Sequence, residues 1–493
     1  MSLINISQLT FAYDGSYENI FENVSLQLDT NWKLGLIGRN GRGKTTFLNL
    51  LQRKFHYQGS ISASVSFDYF PFSIQQPEKY GYELMEEIVP DYEYWRLSKE
   101  LNLLNISDEV LYRPFQTLSN GEQTKVLLAA LFMKENHFLL IDEPTNHLDI
   151  NGRESVSAYL NKKKGFILVS HDRMFLDRCV DHVLSINKTN IELQKGNFSS
   201  WYQNKMYQDQ NELDQNKKLK SEIRQLSQAA KRSADWSNDV EKTKYATRNS
   251  GLRPDRGYIG HQSAKMMKRA KSIYNRQQKK IEEKSTLLKN IEAVETLTIH
   301  PATHHSKVLI EAKNFSIYYN GEAIFKPMNF TIQSGDRVQL SGPNGCGKSS
   351  LIKLIVSENI TFTGELKKAS QLKLSVIPQD TSFLSGTLKE FILNNAIDET
   401  LFKTILRKLG FDRALFNREL SSYSPGQRKK VLIAKSLCES AHLYLWDEPL
   451  NYIDIFSRMQ IESLIMQYQP TLLFSEHDQC FANAVSTKKI LFQ

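Results

Sequence analysis

Four motifs occur twice in this chain, in the same order and at nearly the same spacing. Gly38-Arg39-Asn40-Gly41-Arg42-Gly43-Lys44-Thr45 is matched by Gly342-Pro343-Asn344-Gly345-Cys346-Gly347-Lys348-Ser349. Each is followed by a Ser-x-Gly triplet (Ser119 and Gly121; Ser424 and Gly426), then an apolar run ending in Asp-Glu (Asp142-Glu143; Asp447-Glu448), then a lone histidine (His171; His477). The offset between copies is 304 residues for the lysines, 305 for the serines and glutamates, and 306 for the histidines. Chance does not hold four motifs in register over that distance. The chain is read as a tandem repeat of one α/β fold, so what it does must also be sought in the part that is not repeated.

The repeated residue types point to one chemistry. Gly-x-x-x-x-Gly-Lys-Thr/Ser after an apolar run is a phosphate-binding loop. Its glycines (Gly38, Gly41, Gly43; Gly342, Gly345, Gly347) let the backbone wrap phosphates, and the amides and following helix N-terminus stabilise negative charge. Lys44 and Lys348 are expected to reach the terminal phosphates of ATP. Thr45 and Ser349 can ligate Mg²⁺, and Asn40, Thr46, Asn344 and Ser350 complete the two loops. An Asp closing a buried strand, Asp142 or Asp447, can hold Mg²⁺, and the following Glu can polarise water against the γ-phosphate. Apolar-Asp-Glu alone is weak; it gains force by recurring 24 residues after each signature serine. A lone histidine is usually a surface or core residue. His171 and His477 recur 28 and 29 residues after the glutamates, which favours a γ-phosphate sensor.

At 493 residues the chain is long enough for two or three domains. Its four cysteines form no Cys-x-x-Cys pair, which argues against a zinc site or a disulfide framework and for free thiols in a reducing cytoplasm. The N-terminus lacks the basic and apolar regions of a signal peptide, and no apolar run approaches the roughly 18–20 residues that span a bilayer. The net charge of +9 is concentrated: residues 200–295 hold 21 Lys and Arg against 12 Asp and Glu. A basic excess in one segment fits a polyanion partner; the alternative is a solvated, lysine-rich helical face.

Residues 1–195 and 306–493 are assigned to the two repeats, and 196–305 to a linker. Leu219, Ile223, Leu226 and Ala230 form one helical stripe; Met267, Ala270, Tyr274, Ile281, Leu288 and Ile291 form another. Two stripes fit an antiparallel helical hairpin, each arm of about 30 residues and roughly 45 Å. The tip, 233–262, carries Lys242, Lys244, Arg248, Arg253 and Arg256 interleaved with Trp236, Tyr245 and Tyr258. Such a loop suits RNA phosphates and unstacked bases; the alternative is a surface loop with incidental aromatics. Lys265, Lys268 and Arg269 extend the basic character into the second arm.

Leu118-Ser119-Asn120-Gly121-Glu122-Gln123 and Tyr423-Ser424-Pro425-Gly426-Gln427-Arg428 resemble the signature of ATP-binding-cassette (ABC) proteins. That resemblance implies two cassettes facing head to tail, in one chain that pairs its own halves as a monomer. Lys44, Asp142, Glu143 and His171 would then work with Ser424 and Gly426, and Lys348, Asp447, Glu448 and His477 with Ser119 and Gly121. Tyr13 and Tyr319 resemble the aromatic that stacks on adenine. Ile377-Pro378-Gln379 resembles the Gln loop, which would put Gln379 at the metal, whereas the first copy has Phe70-Pro71-Phe72. Asn120 and Pro425 replace the usual second glycine of the signature.

Paired cassettes, no membrane segment and a long linker together resemble the ABC-F group of ribosome-acting ATPases. Trp32 through Lys44, Lys265-Met266-Met267-Lys268-Arg269 and Trp446-Asp447-Glu448-Pro449-Leu450-Asn451 resemble resistance proteins of the Lsa type. The resemblance implies a cytoplasmic, ribosome-associated ATPase that enters the tRNA exit site of the bacterial 70S ribosome. Its tip would reach 23S rRNA at the peptidyl-transferase centre and displace P-site tRNA, releasing lincosamides, streptogramin A and pleuromutilins. The alternatives are a housekeeping factor for stalled ribosomes, the ATPase subunit of a drug exporter, and a DNA-maintenance ATPase. In the last, the coiled coil interrupts a single cassette, unlike the arrangement here.

Overall fold

The computed structural model describes residues 2–15, 19–72, 74–146, 148–187, 190–212, 296–319, 321–356 and 359–492, with scattered helical positions between 214 and 279. The hairpin stripes and the tip residues Trp236, Lys242, Lys244, Tyr245, Arg248, Arg253, Arg256 and Tyr258 lie outside the described residues. By its contacts the chain divides into two units, Met1–Ser199 with Val294–Gln493, and Ser200–Ala293. In the second unit residues 200–212 are helical, and Lys265, Lys268 and Arg269 are helical and exposed.

Short runs rich in β-branched and aromatic residues build the first repeat. β1 (Leu3–Phe11) pairs antiparallel with β2 (Phe21–Asp29) and β4 (Gln58–Ser62). A second sheet takes the order β5-β6-β7-β3-β8-β9, from β5 (Ser66–Phe70), β6 (His137–Asp142), β7 (Phe166–Val169), β3 (Lys33–Ile37), β8 (His182–Ile186) and β9 (Ile191–Lys195). It is parallel except at β9. A parallel sheet covered on both faces needs unbroken apolar strands, and Phe138, Leu139, Leu140 and Ile141 of β6 are all buried.

The second repeat follows the same plan. β10 (Val308–Tyr319) pairs with β11 (Glu322–Ala323), β12 (Met328–Gln333) and β14 (Phe362–Lys368). The parallel sheet runs β15-β16-β17-β13-β18, from β15 (Leu374–Ile377), β16 (Leu443–Asp447), β17 (Leu472–Ser475), β13 (Arg337–Ser341) and β18 (Lys488–Leu491). Leu297 and Ile299, which a boundary at 305 assigns to the linker, are buried in this repeat's core. In both repeats the phosphate loop joins the C-terminal end of a central strand to a helix, Lys44–Leu51 or Lys348–Val356. The ligand crevice of an open parallel sheet lies at those strand ends.

Candidate nucleotide sites between the repeats

Backbone conformation sets each phosphate loop. Gly43 has φ +90°, and a Cβ there would meet Ile20 at 2.7 Å, so no other residue fits without displacing β2's approach. The Lys44 ammonium crosses the loop, donating to the carbonyls of Gly38 (2.7 Å) and Arg39 (3.3 Å) and to Asn40 Oδ1 (3.3 Å). Lys348 donates likewise to the carbonyls of Gly342 and Pro343, both at 2.8 Å. The Tyr13 hydroxyl is 2.8 Å from Thr46 Oγ1, and the Tyr319 hydroxyl is 3.2 Å from Ser350 Oγ. Each aromatic is thereby held, half exposed, at the mouth of its loop.

The signature serines are helix caps. Ser119 Oγ accepts from the Glu122 amide, and the Glu122 carboxylate accepts from the Ser119 amide. Ser424 and Gln427 repeat the reciprocal pair. Pro425 therefore stands at the first helical position, where its missing N–H costs nothing. Asn120 occupies the same position in the first repeat. Gly426 follows, and a Cβ there would lie 2.5 Å from the Tyr452 carbonyl oxygen.

These caps open onto the opposite repeat's phosphate loop. One cavity, of about 630 Å³, is lined by Tyr13, Asn40, Gly41, Gly43, Lys44, Thr45, Thr46, Asp142, Glu143 and His171, and across the interface by Ser424 and Gly426. The other, of about 1180 Å³, is lined by Tyr319, Asn344, Gly345, Gly347, Lys348, Ser349, Ser350, Gln379, Glu448 and His477, and across the interface by Ser119 and Gly121. Asp447 is buried beneath the second cavity, accepting 2.6 Å from Ser475 Oγ.

The two acidic centres differ. Thr45 Oγ1 lies 3.2 Å from Asp142 Oδ2, and the Tyr69 hydroxyl donates to that same oxygen at 2.8 Å. In the second repeat the strand position of Tyr69 is Val376, whereas Ser475 stands where the first has Val169. Beyond its phosphate-loop hydroxyl, Thr45 or Ser349, each aspartate thus has one hydroxyl partner from a neighbouring strand, and the two repeats take it from opposite sides. Burial, then the Asp142 charge, pushes the Glu143 carboxyl up to about 8. Among the described residues no side-chain donor reaches either of its oxygens with good geometry; His171 Nε2 is 3.4 Å from Oε1. Glu448 Oε2 instead accepts from Gln379 Nε2 (2.9 Å) and Asn451 Nδ2 (2.6 Å), and His477 Nε2 lies 3.7 Å from Oε1. Burial there raises the carboxyl, but His477 and Gln379 outweigh it and the net shift is downward. Both glutamates have positive φ, 51° and 45°, a sparsely populated conformation for residues bearing a Cβ.

Residues that motif reading did not single out support this frame. Asp172 and Asp478 cap the helices after the histidines and accept 2.8 and 2.9 Å hydrogen bonds from Arg153 and Arg458. Those arginines recur at an offset of 305, so the same register would have found them. Lys429 donates to the carbonyls of Pro378 (2.8 Å), Gln379 (3.3 Å) and Asp447 (3.2 Å), tying the Gln379 turn to β16. Its first-repeat counterpart is Thr124, so no such tie forms there.

The donor set fits a nucleotide with a hard divalent cation: each site offers a hydroxyl and a carboxylate beside a phosphate loop, all oxygen ligands of the kind Mg²⁺ takes. Thr45 with Asp142, and Ser349 with Asp447 and Gln379, would hold it, and when bound it would polarise the γ-phosphate. Glu143 and Glu448 would orient and deprotonate an attacking water, with His171 Nε2 and His477 Nε2 lying 3.4 and 3.7 Å from their Oε1 atoms.

The family model described as ABC transporter matches residues 21–146 and 325–451. The chain belongs to the ABC transporter family. It carries two ABC cassettes and is an ATPase. Among curated relatives, the ribosome protection protein VmlR of Bacillus subtilis is 27% identical over 499 residues, covering 100% of this chain and 86% of the relative. The erythromycin resistance ATP-binding protein MsrA of Staphylococcus epidermidis is 29% identical, covering 93% and 91%. The ATP-binding protein Uup of Buchnera aphidicola is 26% identical, covering 100% and 81%. Among solved structures, the archaeal ribosome recycling factor aABCE1, in complex with the stalk protein aP1, superposes with a TM-score of 0.63 at 18% identity, covering 99% of this chain and 87% of that one. This likeness is one of fold. Among the described residues no helix is long and apolar enough to cross a membrane.

Proposed function

We propose that this ABC protein is an ATP-gated ribosome protection factor of the ABC-F group, of the Lsa type. The observation that carries the reading is full-length similarity to VmlR, a ribosome protection protein, in a chain whose basic excess lies between its cassettes. ATP held between each phosphate loop and the opposing signature closes the cassettes. Closure fixes the linker in the tRNA exit site of the bacterial 70S ribosome, beside P-site tRNA. The tip reaches 23S rRNA near the peptidyl-transferase centre, and bound lincosamide, streptogramin A or pleuromutilin leaves. Hydrolysis through Glu143 and Glu448 reopens the cassettes.

The second reading is a housekeeping factor acting on stalled ribosomes without a drug role; Uup, similar over the whole of this chain, is named only as an ATP-binding protein. Replacing residues 242–258 by a Gly-Ser linker separates the two readings. Under the protection reading, the shortened protein keeps ATPase activity and ribosome binding but no longer raises the inhibitory concentration of a lincosamide or pleuromutilin. A full-length protein that confers no protection at all supports the second reading.

A further inference from the structure

The first cassette displays an aromatic, acidic surface with no counterpart on the second. Tyr80, Tyr82, Tyr94, Trp95 and Tyr112 are 44%, 40%, 48%, 62% and 61% exposed. The four tyrosines belong to one patch, built by α1 (Gly81–Ile88), α2 (Tyr94–Leu103) and the turn before Arg113. Tyr80 stacks on Tyr82 with ring centroids 5.8 Å apart, and Tyr82 lies 6.2 Å from Tyr112. The Tyr94 hydroxyl donates to Asp108 at 3.3 Å with Tyr112 beside it, and Trp95 follows in sequence. An exposed patch of large aromatics is uncommon on a surface that meets only water.

Charge selects the occupant. Residues 78–113 hold nine Asp and Glu against four Lys and Arg, in a chain whose net charge is +9. Glu86, Glu87, Asp91, Glu93 and Glu109 are exposed in this stretch, Glu87 in an ion pair with Lys79. The equivalent stretch of the second cassette, 385–418, holds four acidic and six basic residues and no Tyr or Trp. RNA is repelled by such a rim. A guanidinium or ammonium gains both the carboxylates and the aromatic faces. We propose that this surface docks a basic, arginine- or lysine-rich protein segment, whose cations lie across Tyr80, Tyr82 and Tyr112. This contact is independent of what the ATP sites drive.

The test uses the full chain and a fluorescent nona-arginine peptide, with labelled oligouridine in parallel. Tyr82→Ala/Tyr112→Ala removes rings at constant charge; Glu86→Lys/Glu87→Lys reverses charge and leaves the rings. Each pair should weaken peptide binding at least ~10-fold, while unchanged ATP hydrolysis reports an intact fold. Peptide affinity that either pair leaves untouched overturns the proposal. So does oligouridine binding that the aromatic pair abolishes, because the surface would then be an RNA platform.

Discussion

The side-chain amide of Asn40, in the first phosphate loop, donates a 2.9 Å hydrogen bond to the backbone carbonyl of Tyr452, 412 residues away. Tyr452 lies in the turn after Glu448, has φ +63°, and lines both ATP cavities. The same carbonyl oxygen faces Gly426 of the signature. One backbone group therefore connects the phosphate loop of one site, the signature that completes it, and the acidic strand end of the other.

Gly426→Ala should separate these parts, because its Cβ would stand 2.5 Å from that oxygen. Steady-state ATP hydrolysis should fall by at least ~10-fold, the scale of misplaced catalytic groups. Asn40→Ala removes one hydrogen bond, worth about 1 kcal/mol, and should cost only a few-fold. Equal losses in the two variants would contradict the steric account.

The two glutamates should respond oppositely to the same substitution in nucleotide-free, magnesium-free protein. The Glu143 carboxyl is raised to about 8 in the folded chain, largely by burial. Between pH 4.5 and 8 the unfolded chain ionises it and the folded chain does not, so the carboxyl opposes folding more as pH rises. Glu143→Gln removes that cost and should stabilise by ~1–3 kcal/mol at pH 8, with a smaller gain at pH 5.5. Glu448 is held below its ordinary value by its hydrogen-bond donors. Its contribution is present above the ordinary carboxylate range and lost as pH falls, so Glu448→Gln should cost about 1 kcal/mol at pH 8. Urea melts at the two pH values read both signs.

Tyr69 should matter to the first site alone, since Asp142 accepts its hydroxyl and Asp447 accepts Ser475 instead. In a Glu448→Gln background, where the first site supplies the turnover, Tyr69→Phe should raise the half-saturating Mg²⁺ concentration by ~10-fold, as expected when a partner of a metal ligand is lost. The same change in a Glu143→Gln background should do nothing. An effect of equal size in both backgrounds would make Tyr69 a general packing residue.

Much of this was readable from the chain because the repeat supplies its own control. The α/β plan and the cassette pair follow from motifs in register, and most motif residues line the two cavities, with Gly38, Gly342 and Asp447 lying outside their linings. What escaped was the set of groups that act through other groups. Tyr69 and Ser475 break the register, because an aspartate can receive its orienting hydroxyl from either neighbouring strand. Lys429 sits where the first repeat has threonine and binds carbonyls, which leave no mark in sequence. Tyr452 acts through its backbone, so its side-chain identity gives nothing away. Phe72 in place of a glutamine was visible, but the scarcity of side-chain donors at the Glu143 carboxylate among the described residues required coordinates.

If ATP closure of the cassettes drives ribosome binding, trapping the closed state should trap the complex. The Glu143→Gln, Glu448→Gln double variant should bind ATP and hydrolyse it at least ~100-fold more slowly, as for loss of a general base. Sedimented through sucrose with bacterial 70S ribosomes, it should pellet with them in ATP and remain in the supernatant in ADP. A double variant that hydrolyses ATP slowly, is folded, and stays in the supernatant with either nucleotide would contradict the account.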